Sequence, residues 1–582
     1  MRHLTPALRH SHSPAAGVSL ALTALAGLAC FAACDMGSMD GSANFGASEE
    51  SPASPVSGSD LDDAPNPGGG GLNGPGDDEE PPPEVEREAT FRAPVVTGPF
   101  VWAANPESGR VAVIDATTFE IRSVQAGNRP TYVAALDSPG GARRALAINA
   151  GADDASLLEL SGDAIEVSHV PLHRGANVWS VSPDRRFAIA WTDRSDAERL
   201  DPTDGFQDIT VLEIGDTGAP TATRLTVGYR PSAFSFDAQS ARAFGVTEDG
   251  ISIVELTPGA VRLSRLVALP SARGVQPDVS ITADGARALA RIEGASILYD
   301  IDLTGGQTRE VDLGGNITDL DLSADGTRAV AVIRSRPIAP PPDAGPLPQP
   351  DAGLDAGGAD NAGGPEPIRV SEAVFFPVPA GLTEAAERRS LLIPNGGVGS
   401  VALSPDGTRA VLFSNALGSG QVTLVGPDLS YRSVDLFAPV RAVFVSADSS
   451  HAIALQDVPE GSIKKGAFSV LALDTVRAPK LVAADARAEF VALDAQSSER
   501  AIVTVSDPDT QVFGAYFVRM PSLQVDFGAL SSRPLSSGTV PAAQKGFVAQ
   551  EHPEGRITFI DLSDGQNREI TGFELSAKVV NE

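Results

Sequence analysis

A strand-rich unit recurs about every 45 residues from Phe100 to the C-terminus, and this period constrains the fold more than any other feature. One half of each unit is an apolar strand that runs into an Asp-centred turn. The clearest copies are Val181-Ser-Pro-Asp184, Ile281-Thr-Ala-Asp-Gly285, Leu322-Ser-Ala-Asp-Gly326, Leu403-Ser-Pro-Asp-Gly407 and Val445-Ser-Ala-Asp448. A tight reversal needs a residue that tolerates positive φ, and Gly after Asp supplies it. These aspartates therefore read as structural. An Ala/Val-rich strand follows the turn, as in Arg287-Ala-Leu-Ala-Arg291 and Arg409-Ala-Val-Leu-Phe413. A strand of period-two polarity comes next, as in Arg110-Val-Ala-Val-Ile-Asp115 and Arg556-Ile-Thr-Phe-Ile-Asp561, which reads as half-buried. A shorter strand such as Arg432-Ser-Val-Asp-Leu436 closes the unit. Four strands per unit is the content of one propeller blade.

The turn aspartates fall at Asp137, Asp184, Asp237, Asp284, Asp325, Asp406, Asp448 and Asp494, with gaps of 47, 53, 47, 41, 81, 42 and 46. The long gap contains a Pro/Asp/Ala/Gly-rich segment, 335–364. Without it the gap is one unit, and the total is about ten units. The expected fold is all-β, a β-propeller of four-stranded blades. Propellers usually carry four to eight blades, so ten units predict a ring of seven to ten blades, with any remainder outside it.

Phe100-Val-Trp-Ala-Ala-Asn105, Arg110-Val-Ala-Val-Ile-Asp115 and Gly127-Asn-Arg-Pro130 together resemble the YVTN-type β-propeller repeat. Gly228-Tyr-Arg-Pro231 echoes its last element. Later units keep mainly the Ser-Pro-Asp-Gly turn, which is similar to propellers of the TolB type. The resemblance implies a fold shared by cell-surface proteins, lactonase-like enzymes and electron-transfer subunits, and so implies no single activity.

Residues 1–33 read as an export signal, with Arg2 and Arg9 ahead of an uncharged stretch from Ala15 to Ala33. Small residues precede Cys34, which resembles the lipobox of bacterial lipoproteins and makes Cys34 the expected lipidation site. Phe31 stands where that family prefers Leu, Val or Ile, and Cys30 is a rival site. An ordinary cleaved signal and an uncleaved anchor are the alternatives. Both cysteines of the chain lie in this leader, which leaves the folded part without disulfide or thiolate chemistry.

Residues 34–97 read as an acidic Gly/Pro/Ser-rich disordered tether. Between Asp35 and Thr90 there are 14 acidic residues and one basic residue, Arg87, with almost no aliphatic side chains to repay the entropy of ordering. Gly69-x-Gly71-x-x-Gly74 lies here, but no strand precedes it and no helix follows, so it carries no nucleotide. The repeats are assigned to 98–582. The chain has a net charge of −31, and residues 91–582 keep 41 basic and 61 acidic residues, a net of −20. Such a surface repels phosphate backbones, so no nucleic-acid partner is expected.

No constellation of catalytic residues stands out. His169 and His173 are separated by Val170-Pro-Leu172, which cannot continue a helix, so they do not form a helical metal pair. His451 and His552 stand alone near strand starts. Asp343, Asp351, Asp355 and Asp360 of the 335–364 segment lack calcium-loop spacing, and the segment reads as a surface loop. Trp102, Trp179 and Trp191 read as filling between blades. The expected protein is a monomeric binding scaffold without cofactor or metal. Its expected place is the bacterial cell envelope, on the periplasmic or outer-surface side. The lipid is its only membrane contact, and a protein or envelope polymer is its partner. The alternative is a hydrolase or lactonase-like enzyme with a site at the central channel.

Overall fold

A computed structural model describes residues 94–572, apart from 137–142, 194–205, 217, 271–276, 339–367, 394–396, 475, 495–497 and 553. Ten four-stranded antiparallel sheets follow one another along the chain, each made of four consecutive strands. They form a ring of ten blades. The ring thus takes every unit that the turn spacing marks, and none lies outside it. Blade 1 comprises Val95–Thr97, Phe100–Asn105, Arg110–Asp115 and Ile121–Gln125. Its first strand lies inside the stretch that composition assigns to the tether. Blade 10 comprises Pro534–Val540, Lys545–Gln550, Arg556–Asp561 and Asn567–Thr571.

Ten separate apolar clusters hold the ring, and each one lies between two neighbouring blades. Alternation along a strand explains how. In Arg110–Asp115, Val111 and Val113 pack toward blade 2, whereas Ala112 and Ile114 pack toward blade 10. Period two therefore marks two buried faces here, not one buried and one wet. The sequence reading of the third strands as half-buried is corrected: Val111 through Ile114 are all buried. A sheet inside a ring has a neighbour on each side, so both pleat faces lose their water.

The last cluster closes the ring. Val101, Ala103, Ala112, Ile114 and Ala116 of the first blade meet Val540, Phe547, Ile557 and Phe559 of the last. Among the described residues no strand is exchanged between the first and last blades, because blades 1 and 10 are each complete from consecutive strands. Phe119, at φ +66, places its ring edge-on to Phe559 with centroids 5.4 Å apart.

The outer rim adds polar ties. An arginine on or beside a fourth strand reaches the next blade at six seams. Arg122 donates to the Gly162 carbonyl (2.8 Å), Arg265 to Thr304 (2.7 Å) and Arg389 to Asp428 (3.2 Å). Arg432 donates to Ala472 (3.1 Å) and Arg477 to Pro521 (2.9 Å). Arg568 lies 4.1 Å above the Phe119 ring at the closing seam.

Candidate functional site

Strict antiparallel order sends every first-to-second and third-to-fourth connection to one face of the ring. The second-to-third and blade-to-blade connections go to the other. The first face is built mainly of short turns; its longer connection is 378–388 in blade 6, which carries the short helix Ala380–Thr383. Five of the short turns share one hydrogen-bond pattern. Ser182, Thr282, Ser323, Ser404 and Ser446 donate their hydroxyls to Asp184, Asp284, Asp325, Asp406 and Asp448 at 2.6–2.7 Å. Each of those carboxylates also accepts the N–H two residues on, at 2.9–3.1 Å. The hydroxyl in turn accepts the N–H that opens the second strand, at 2.9–3.1 Å. Burial pushes the Asp284, Asp325, Asp406 and Asp448 carboxyls up, but these bonds outweigh it and hold them below the usual range. The structural reading of these aspartates holds. Gly285, Gly326 and Gly407 take positive φ as expected, but Arg185 and Ser449 do so without glycine. Asp237 differs, since it accepts from Ala241 and Arg242 and pairs with the Arg242 side chain. Asp137 lies outside the described residues.

The opposite face carries the long connections. They are residues 192–207 in blade 3, 268–277 between blades 4 and 5, and 339–367 in blade 6. The last is the Pro/Asp/Ala/Gly-rich segment. The second strand of blade 6 continues through it to Ile338, beyond the expected start at 335.

Inner-strand ends on this long-loop face carry charge around the channel mouth. In blades 8 to 10 three arginines sit on successive inner strands. Arg441 is the second residue of Val440–Val445, Arg487 opens Arg487–Leu493, and Arg533 immediately precedes Pro534–Val540. Asp457 accepts from both Arg441 (3.4 Å) and Arg487 (3.0 Å), and Arg441 also donates to the Ala488 carbonyl. Arg533 is exposed. Glu489 is half-buried between them. Burial raises its carboxyl above the ordinary range, and Arg533, Arg441 and Arg487 pull it back only partly. Across the mouth, Arg291 donates to Asp278 (2.8 Å) and approaches Asp319 at 4.0 Å, all three nearly inaccessible. Asp319 and Asp321 accept the backbone N–H groups of Val401 and Leu403 on the next inner strand, at 2.7 and 2.8 Å. A buried charge with such partners fixes strand placement.

The histidines are brought into the scaffold separately. His169 lies in the strand Ala164–Pro171 and contacts the Ser156 hydroxyl at 3.1 Å. His173, in the loop after it, is buried. Its Nδ1 lies 2.9 Å from Thr210 Oγ1 and its Nε2 3.4 Å from Thr192 Oγ1. Burial lowers its pKa to about 4. His451 is buried beside Ser450 and also lowered by burial, and His552 accepts the Glu554 N–H in a surface loop. Among the described residues no three His, Asp or Glu converge as a metal-binding group. Trp102, Trp179 and Trp191 each belong to a cluster between blades, as expected. Cys30 and Cys34 lie outside the described residues.

The sequence reading missed a set of buried polar strand ends on the long-loop face. Asn105, Asn149, Thr247, Gln456 and Gln550 end second strands and are essentially inaccessible. Gln456 accepts from Ala438 N–H and donates to Ser469 Oγ; Gln550 accepts from Ser532 N–H and donates to Thr558 Oγ1. Each clamp ties a blade-to-blade connection to the third strand. The signal was present as a lone amide after an Ala-rich strand.

No family model matches the chain, and no curated protein matches it. Solved structures are similar in part. One is an eukaryotic initiation factor, at 10% identity and TM-score 0.42, covering 75% of this chain and 96% of that one. Another is the dihydro-heme d1 dehydrogenase NirN, at 11% identity and TM-score 0.39, covering 78% and 77%. A third is hydrazine synthase of Kuenenia stuttgartiensis, at 13% identity and TM-score 0.31, covering 59% and 95%. These likenesses lie at the level of the fold and carry no activity to this chain.

Proposed function

We propose that this chain is an exported propeller of the YVTN/TolB-like kind, lipid-anchored through Cys34. In this reading it presents its long-loop face to a protein or polymer partner of the bacterial cell envelope and turns over no substrate. The observation that carries the reading is the asymmetry of the faces. The two longest connections, 192–207 and 339–367, leave the ring on one side, where the charged inner-strand ends also gather, while the other side is closed mainly by repeated short turns, with 378–388 of blade 6 as its one longer connection among the described residues. Variable loops on a rigid frame suit recognition. The side chains inside the frame support the same reading. His173, His451 and the turn aspartates are engaged in holding loops and strands.

The address and the binding are tested separately. Metabolic labelling with an alkyne fatty acid should mark the protein in a bacterial host, and Cys34→Ala should abolish the label. Label that persists in that variant moves the site to Cys30, and no label on the parent removes the anchor. For binding, alanine substitutions on the long-loop face should reduce recovery of envelope material. Equivalent substitutions on the short-turn face should not. Equal loss from both faces refutes the assignment of the binding side.

A further inference from the structure

Single exposed apolar side chains are ordinary on a protein surface, but several gathered in one place mark a contact. On the long-loop face such a group spans the seam between blades 7 and 8. Leu417, in the loop 414–420 of blade 7, is 40% exposed. Phe437, in the connection 436–439 between the two blades, is 52% exposed, and Ile463, in the loop 457–465 of blade 8, is 95% exposed. Hydrogen bonds bring the three segments together. Leu436 N–H donates to the Gly420 carbonyl at 2.8 Å and Val440 N–H to the Ser419 carbonyl at 3.0 Å, while Asp457 N–H donates to the Pro439 carbonyl at 2.8 Å. The Gln456 amide accepts the Ala438 N–H of the same connection at 2.9 Å. A Cβ on Gly420 would press on the Leu436 and Ala438 carbonyls at 3.1 Å, so loop and connection already touch. The patch is therefore preformed, which keeps the ordering cost of binding low.

Charge narrows the occupant. Segments 414–420 and 436–439 hold no charged residue, and 457–465 balances Asp457 and Glu460 against Lys464 and Lys465. Residues 91–582 carry 41 basic and 61 acidic residues, a net of −20, so this is neutral ground on an acidic body. Beside it the face turns acidic. Asp509 and Glu554, in the corresponding loops of blades 9 and 10, are exposed, as Glu460 is. Nearby cations are engaged within the ring: Arg441 and Arg487 pair with Asp457, and Lys464 pairs with Asp485 at 2.6 Å. A second copy would bring the same negative charge and needs about 800 Å² per partner, whereas three side chains so exposed offer roughly 300 Å². A membrane would bring phosphates against exposed carboxylates. A partner segment with apolar anchors followed by Lys or Arg matches both halves, because its anchors cover the patch and its cations meet the carboxylates.

We infer that Leu417, Phe437 and Ile463 form the docking patch for one short segment of a partner protein, apolar or aromatic at its anchors and basic in the flank that runs toward blades 9 and 10. This deepens the binding-face reading above and rests on it. Phe437 lies on the connection between the other two loops and offers an aromatic ring on a rigid backbone, the kind of side chain that dominates small interfaces. Covering one large aliphatic side chain strengthens binding about tenfold. The basic flank makes the contact sensitive to salt.

The test uses the full chain with a benzophenone amino acid in place of Phe437, irradiated in envelope extract of its own host. The expected product is a covalent pair with one protein, whose crosslinked peptide, read by mass spectrometry, is apolar or aromatic beside Lys or Arg. A benzophenone in place of Leu417 or Ile463 should reach the same peptide. One in place of Phe527, 53% exposed on the rim strand Gln524–Ala529, should not. Leu417→Ser and Ile463→Ser should each lower the product at Phe437 about tenfold. The combined Glu460→Gln, Asp509→Asn and Glu554→Gln should lower it several-fold at low salt and make no difference in 1 M salt, where the screening length is about 3 Å. That set leaves the patch and the ring core untouched, so a folding defect cannot mimic it. Crosslinks to lipid, to a second copy or to an acidic peptide, or no product from any of the three patch positions, overturn the inference. If alanine substitutions elsewhere on the long-loop face still reduce envelope recovery while the patch gives no product, the binding face stands and the patch alone falls. Recovery lost equally from both faces removes the binding face itself.

Discussion

The closing seam between blades 1 and 10 is the place where the ring should yield first. Phe559 is 1% exposed and meets Phe119 edge-on at 5.4 Å, with Phe547 and Ile557 in the same cluster. Replacing Phe559 by Ala removes a buried aromatic and leaves a cavity, a cost of about 3–5 kcal/mol. The lost ring pair adds about 0.5–1.5 kcal/mol. Phe119 then loses the surface that justifies its left-handed backbone, and the Arg568 cation above it loses its support. Phe244→Ala in the cluster between blades 4 and 5 costs a similar amount in transfer and cavity terms. The two variants should nevertheless differ in kind. Blades 4 and 5 are consecutive in the chain and stay tethered when their interface loosens. Blades 1 and 10 are joined only through the rest of the ring, so loosening their interface frees both ends. Native-state hydrogen exchange should therefore show Phe559→Ala deprotecting amides in Phe100–Asn105 and Lys545–Gln550 together, ahead of all other blades. Phe244→Ala should leave those two strands protected. Equal deprotection of the terminal blades by both variants, or a stability loss below about 1 kcal/mol for Phe559→Ala, would refute the claim that the apolar cluster carries the closure of the ring.

Three further outcomes are expected. His173 titrates at 6.5 when unfolded and near 4 in the ring, so only the unfolded chain takes up its proton as pH falls through that window, and stability drops. Between pH 7.5 and 5 the loss from this residue is about 2 kcal/mol, and denaturant titrations of His173→Gln should lack that part of the acid slope; identical slopes refute it. Gly326 and Gly294 share positive φ, but a Cβ at Gly326 would lie 2.8 Å from the Ala283 nitrogen of the preceding blade whereas one at Gly294 meets nothing within 4 Å. Gly294→Ala should cost about 1 kcal/mol and Gly326→Ala about 3 kcal/mol or more, and melting curves giving equal costs would show that the turns do not touch. Deleting 339–364 should shift Tm by less than about 2 °C, since the two strands it joins are already paired in Arg328–Ile338 and Ile368–Pro377; a large drop would show that the segment packs on the ring.

Much of this architecture is readable locally. The turn motif at Asp325 or Asp406 closes within six residues, so its hydroxyl, carboxylate and glycine all appear in one window of sequence. The third strands are equally visible as alternation, although alternation cannot say whether the second face meets water or another sheet. What stays hidden depends on partners one blade away. Arg432 reads as an ordinary edge-strand charge until Ala472 comes within reach, 40 residues on. Gln456 reads as a lone amide until Ala438 and Ser469 close around it. His173 reads as a loop residue, because burial by Thr192 and Thr210 is a product of assembly. Blade number has the same character. Ten units can be counted in the sequence, but the curvature that admits all ten into one ring arises from ten interfaces acting together. The mouth cluster combines Arg441, Arg487 and Arg533, which are 46 positions apart in each step and share no local signature.

Self-sufficient blades give this chain a modular arithmetic. Because no strand is lent across the seam, a whole unit of four strands could be gained or lost without rewiring any hydrogen-bonded pair elsewhere. Only the wedge angle between neighbours would have to adjust. New termini could likewise be opened at any other boundary and the present ends joined, leaving every sheet intact. Ring size in such a molecule is thus a property its ancestry can revise in single steps.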